Sequence, residues 1–223
     1  EVAFFHRRSH TLLVTDSILS IPEDPPAIVQ LDPYPLLFHA KDGVTSVVTD
    51  NPVNRRKGWQ RIALFALYFR PSALETVPFV QSILDAFKAG DRSRKAYFGW
   101  FPFTWAENWK QSFDALQGNK RPFVAPILQA LILNRAPRET LHWADRVARW
   151  EFQRIIPCHF DAPIEAGPRQ FRNAFAFLEQ KSDERSPSSE QGSYLLPSED
   201  FQLLRDIDAG LCKRGITPPP KEL

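Results

Sequence analysis

Two short segments constrain this chain more than any others: Thr11-Leu12-Leu13-Val14-Thr15-Asp16 and Arg154-Ile155-Ile156-Pro157-Cys158-His159. Each is a brief apolar run, too short for a helix and dominated by Leu, Ile and Val, which reads as a buried strand. Each then delivers one metal-capable side chain, Asp16 or His159, at its C-terminal end. In α/β folds the reactive groups lie outside the carboxyl ends of strands. The first run is preceded by alternating Val2 to His6 and the turn residues Arg7-Arg8-Ser9, so the chain opens on a hairpin.

Helical periodicity supplies the other layer. The spacing predicts a helix over Arg55 to Phe69, with Trp59, Ile62, Ala63, Ala66, Leu67 and Phe69 giving an apolar face and Pro71 as its stop. A second helix is expected over Val77 to Ala89, closed by Gly90. A third is expected over Pro102 to Leu116, with Thr104 and Glu107 forming a capping box. Pro122 to Leu133 is open between a helix and a strand. Arg138 to Trp150 and Pro168 to Gln180 read as helices flanking a strand at Phe152 to Ile156, an order that argues for an α/β layered architecture. The five prolines between Ile21 and Pro35 exclude regular structure there. Residues 1–180 are expected to form one domain portion, 181–195 a flexible linker, and 196–223 a helical extension with a frayed tail.

Composition removes several functional classes. A 43% hydrophobic and 13% aromatic chain of 223 residues has ample material for a core. A net charge of +2 without a dense Lys/Arg tract argues against nucleic-acid binding. Nine glycines, with no Walker-type, HExxH or GxSxG signature, disfavour phosphate-loop and nucleophile-elbow chemistry. Cys158 and Cys212 form no CxxC pair, and a reducing compartment is expected. The chain has no methionine, even at position 1, and is expected to continue upstream in the intact protein.

For the candidate residues two readings stay open. Asp16 can bridge or bind a divalent metal or act as a base, or it can cap a turn. His159 can ligate zinc or relay protons, or it can be a hydrogen-bonded core histidine. Asp161, two residues on, can share the face of His159 as a metal ligand, or cap the turn before Pro163. Cys158 is expected to point away from His159 as a small buried side chain. His6 and His10 flank a basic turn, His39 is placed in a polar loop, and His142 is expected to pair with Asp145 on a helix surface.

The aromatic segment Trp100, Phe101, Phe103, Trp105 and Trp109 reads first as internal packing, with Trp105 and Trp109 one helical turn apart. The alternative is a peripheral membrane contact through Trp100, Phe101, Phe103 and Trp105, helped by Lys95, Lys110 and Arg121, or through Trp59 to Phe69.

The segments Glu1 to His6, Thr11 to Asp16 and Arg154 to Phe160, with a loose match over Trp59 to Phe65, resemble an uncharacterised family of plant, algal and cyanobacterial proteins. That family is filed as a domain of unknown function and is similar to the metallo-β-lactamase fold. The resemblance implies a four-layer αββα fold, of which this chain supplies the C-terminal portion, the N-terminal half being missing or supplied elsewhere. It implies that Asp16 bridges two metals and His159 binds the second, the metal being zinc, iron or manganese. It also implies a chloroplast location.

In the metal-dependent relatives the remaining ligands come from an HxHxDH motif, which nothing here matches. Their late histidine stands in a Gly-His-Gly-like context, where this chain has Cys158-His159-Phe160. The expected function is therefore a degenerate, non-catalytic binding or assembly module for an unidentified small molecule or protein. The alternative is hydrolysis of an ester, thioester or phosphoester by a metal-bound hydroxide, with Asp16 and His159 as the catalytic pair.

Overall fold

A computed structural model of the chain describes residues 2–179, 196–221 and 223. The linker expected at 181–195 lies outside the described residues. The strands are β1 (Phe4–His6), β2 (Thr11–Leu13), β3 (Leu74–Thr76), β4 (Phe103–Trp105) and β5 (Arg154–Ile156). The helices are α1 (Tyr34–His39), α2 (Pro52–Tyr68), α3 (Phe79–Ala86), α4 (Trp109–Gln117), α5 (Pro126–Leu131), α6 (Pro137–Val147), α7 (Pro168–Asn173) and α8 (Gln202–Lys213). The fold is mixed α/β. Two compact units are present: Pro22–Leu116 forms one, and Glu1–Ile21 with Gln117–Leu223 forms the other.

In the unit built from the chain ends, a three-stranded sheet runs in the order β1-β2-β5. β1 and β2 form the hairpin expected from the sequence, with Phe4 opposite Leu13 and His6 opposite Thr11. β5 then joins β2 in parallel, Leu12 beside Ile155 and Leu13 beside Ile156. Leu12, Val14 and Ile155 are buried and share a core with Leu141, Ala144 and Val147 of α6 and Phe171 of α7. The expectation of a buried strand at Leu12-Leu13-Val14 is met on one face only. Leu13 is 37% exposed and its neighbour Ile156 39%, because α6 and α7 cover only the inner face of the strands. α8 packs on α5 in the same unit, where Arg135 pairs with Asp208 and also donates to Thr217 Oγ1.

In the inserted unit α1 lies against α2 at Gly58, whose missing side chain lets the backbone of Leu36 approach. Asn51 caps α2 by accepting from the Asn54 amide, and Phe69, at φ 61°, ends it just before Pro71. The expected helix over Pro102 to Leu116 is only half present. Phe103–Trp105 is β4, paired antiparallel with β3, so Thr104 faces Glu75 in a ladder instead of capping a helix. Aromatic and β-branched residues in alternation favour that extended form. Helix α4 begins at Trp109, so Trp105 and Trp109 meet edge to face from a strand and a helix, not along one helix.

Candidate functional site

The parallel pairing of β2 and β5 accounts for the candidate site. Beyond the named strands the ladder continues for one further rung on each chain. Val14 N–H donates to Ile156 O at 3.1 Å, and Cys158 N–H donates to Thr15 O at 3.2 Å. The two strands are in register, so the residue that follows the last rung on each is at the same height. These residues are Asp16 and His159. His159 Nε2 lies 3.0 Å from Asp16 Oδ1, a hydrogen bond in which the ring N–H donates and the carboxylate accepts. Both side chains are more than half exposed.

The loop after His159 is tightly held. Asp161 N–H donates to Ser20 O at 3.0 Å. The chain then passes a cis Ala162–Pro163 peptide, and Ile164 bridges Ile155. Phe160 has φ 65°, the left-handed region that favours glycine. A bulky residue thus occupies a backbone shape suited to glycine. Cys158 is exposed, with its thiol 3.8 Å from Val14 O, which corrects its expected burial. Beside an open strand end, the side opposite His159 also faces solvent.

Asp16 and His159 suit a metal as two of its ligands. Donors on one tetrahedral ion with ~2.1 Å bonds stand about 3.4 Å apart, close to the observed separation. A catalytic zinc takes about three protein ligands. Among the described residues no three of His, Cys, Asp and Glu gather in one place, Asp161 included. The pair therefore does not complete a metal site from these residues alone.

A family model for a domain of unknown function, DUF4336, matches residues 1–177. The chain belongs to the DUF4336 family. The match spans Asp16, His159 and Asp161 and ends before α8. No curated protein and no solved structure matches the chain.

The DUF4336 chain holds a second polar cluster, in the inserted unit, that the sequence reading missed. Arg61 of α2 is 1% exposed. Its guanidinium donates to Lys41 O at 2.8 Å, to Ala40 O at 3.2 Å and to Asp42 Oδ1 at 2.6 Å. The Trp105 and Trp109 rings lie 4.9 and 4.7 Å from its centre. Burial pushes its pKa down, against the pull of Asp42.

His39 stands at the end of α1 beside this cluster, partly buried, and not in the polar loop expected for it. Burial and then the Arg61 charge push its pKa to about 4. Burial works to raise the Asp42 carboxyl, but hydrogen bonds from Lys57 and Arg61 override it and hold it low. The available signal was Leu64 and Tyr68, at helical spacing from Arg61, which gave α2 a second apolar side. His142 is likewise not paired as expected; Asp145 binds Arg172, which also reaches Glu179.

Proposed function

We propose that this DUF4336 chain is the C-terminal portion of a metallo-β-lactamase-like protein acting as a binding or assembly module, not as a hydrolase. One observation carries the reading. Phe4, Leu13 and Ile156 lie side by side across the three strands, on the sheet face that no described helix of their own unit covers. All three are exposed. A row of apolar side chains crossing an open sheet is what an αββα fold covers with its second sheet. The contact this face makes, with another layer of the protein or with a protein partner, is the proposed function. The Asp16–His159 pair stands at the C-terminal ends of two of these strands and ties them together through one hydrogen bond. The chloroplast location belongs to the same reading.

A second reading is favoured by the placement of Asp16 and His159 at one height on neighbouring parallel strands. With further ligands from outside the described residues, the pair would hold zinc, iron or manganese in a hydrolase for an ester, thioester or phosphoester. Such a metal supplies a Lewis acid and an activated water. The role of this chain would be to fix two donors on a rigid sheet.

Metal content of the full-length protein, beside Asp16→Ala and His159→Ala, separates the two. The module reading expects no stoichiometric zinc, iron or manganese in any of the three proteins. Stoichiometric metal in the parent that both substitutions remove would overturn it and establish the hydrolase site.

A further inference from the structure

Helix α3 is built inside out. Phe79, Val80, Ile83, Leu84 and Phe87, at and just beyond its end, occupy one continuous arc at helical spacing, and all five are exposed. Phe79, Val80 and Phe87 each show 70% or more of their surface. The residue the helix turns inward is Ser82, whose hydroxyl donates to Phe79 O at 2.8 Å. The surface continues on the turn at 97–100. Tyr97 and Phe98 have φ 49° and 58°, conformations uncommon for aromatic residues; both are exposed, and the Tyr97 ring also rests edge-on against Phe38 at 5.1 Å. Gly99, at φ 88°, fixes that turn under α3, since a side chain there would meet Ala89 Cβ at 2.7 Å and Ala86 O at 2.8 Å. Trp100 donates its indole N–H inward to Ser82 Oγ at 3.0 Å and leaves its ring at the surface. Between helix and turn lies a groove of about 480 Å³.

The charges beside this patch say what covers it. Arg92, which lines the groove, and Arg94 make no ion pair among the described residues. Lys95 reaches Asp32 only at 3.9 Å. The carboxylates nearby are engaged: Asp85 by Lys88 and Gln81, Asp91 by the Ser93 amide and Tyr34. An apolar aromatic face bordered by free cations suits an anionic lipid surface, where rings enter the headgroup boundary and Arg/Lys meet phosphates. A second copy fits less well, because it would bring the cations of both copies to one interface with the nearby carboxylates already engaged. α3 has eight residues, and no described helix is long and apolar enough to cross a bilayer, so the contact lies in the interface plane.

We infer that α3 and the turn at 97–100 form a docking surface for anionic membranes. The surface is distinct from the Asp16–His159 pair and does not depend on how that pair is read. It also revises the segment expected from the sequence: Phe101 and Trp105 are buried, and of the residues named there Trp100 is the one on this surface.

The test is cosedimentation of the full chain with vesicles of phosphatidylcholine alone or mixed with phosphatidylglycerol. Binding is expected to the mixed vesicles, to fall at least tenfold in Phe79→Ser/Phe87→Ser, and to weaken in Arg92→Gln/Arg94→Gln and with added salt. All four side chains are exposed, and circular dichroism of each variant confirms the fold. Binding that ignores both substitution pairs overturns the inference, as does equal binding to the two vesicle types. Absence of vesicle binding overturns it too; if sedimentation velocity then shows a dimer that Phe79→Ser/Phe87→Ser abolishes, the face is a self-contact.

Discussion

Acid should weaken the inserted unit through one residue, His39. Its ring packs against Phe38 and Phe65, with centroids 5.5 and 6.1 Å away, and its pKa is pushed from 6.5 to about 4, first by burial and then by Arg61. A histidine lowered in this way is neutral in the folded state while the unfolded chain takes up the proton. Its contribution is therefore complete above the unfolded value, near pH 7, and is lost as pH falls toward the folded value. At ~1.4 kcal/mol per tenfold, about 2 kcal/mol is lost by pH 5 and on the order of 3 kcal/mol by pH 4. His39→Phe keeps a ring in the same place and removes the proton. Urea unfolding followed by tryptophan fluorescence at pH 7.5 and pH 5 should show the parent losing about 2 kcal/mol more than the variant between the two conditions. Equal losses in both proteins would refute the assignment of acid sensitivity to His39. Asp42 is held low, so its contribution is lost only below the ordinary carboxylate range, outside this window.

Two further outcomes follow from the same unit. Arg61→Leu should destabilise by about 3 kcal/mol, since it strips hydrogen bonds from buried carbonyls and the cation from between two tryptophans; a midpoint in urea within error of the parent would contradict this. Gly58→Ala sets a methyl carbon 1.7 Å from Leu36 O, so α1 must move off α2, at a cost of about 3 kcal/mol or more; a thermal midpoint unchanged by the substitution would show that the two helices do not touch there.

The strands that carry Asp16 and His159 were legible because each is a short apolar run closed by one polar residue. That the two residues meet was implied only by the family resemblance, since nothing local says that Thr11 pairs with Arg154 in parallel. The exposure of the pair was hidden as well. It follows from which sheet face the helices cover, a property of packing and not of pattern. The misplaced helix start at Thr104 has a simple cause. A capping box and an aromatic strand share the same residues, and the ladder with Leu74–Thr76 decided between them. Arg61 was missed because an arginine in a helix that also carries Arg55, Arg56 and Lys57 reads as surface until two tryptophans, two carbonyls and the Asp42 carboxylate are brought around it. The helix expected over Val77 to Ala89 was legible but its outward arc was not, because periodicity reports that a stripe exists and not what it turns toward.

The Ser20 hydroxyl donates to Lys120 O across 100 residues of sequence, and beside it Leu19 and Phe123 exchange backbone hydrogen bonds at 2.8 and 2.9 Å. That rung is a clasp closing the two ends of the inserted unit, and it sets an order of events for folding. Closing a flexible loop of this length costs about 4 kcal/mol in chain entropy, which a few hydrogen bonds at the clasp do not repay. A collapsed Pro22–Leu116 shortens the loop and lowers that cost, so formation of the inserted unit is expected to speed the meeting of β5 with β2. Refolding of a chain whose inserted unit is weakened by Gly58→Ala is therefore expected to bring Asp16 beside His159 more slowly than in the parent, although the substitution is remote in sequence from both residues.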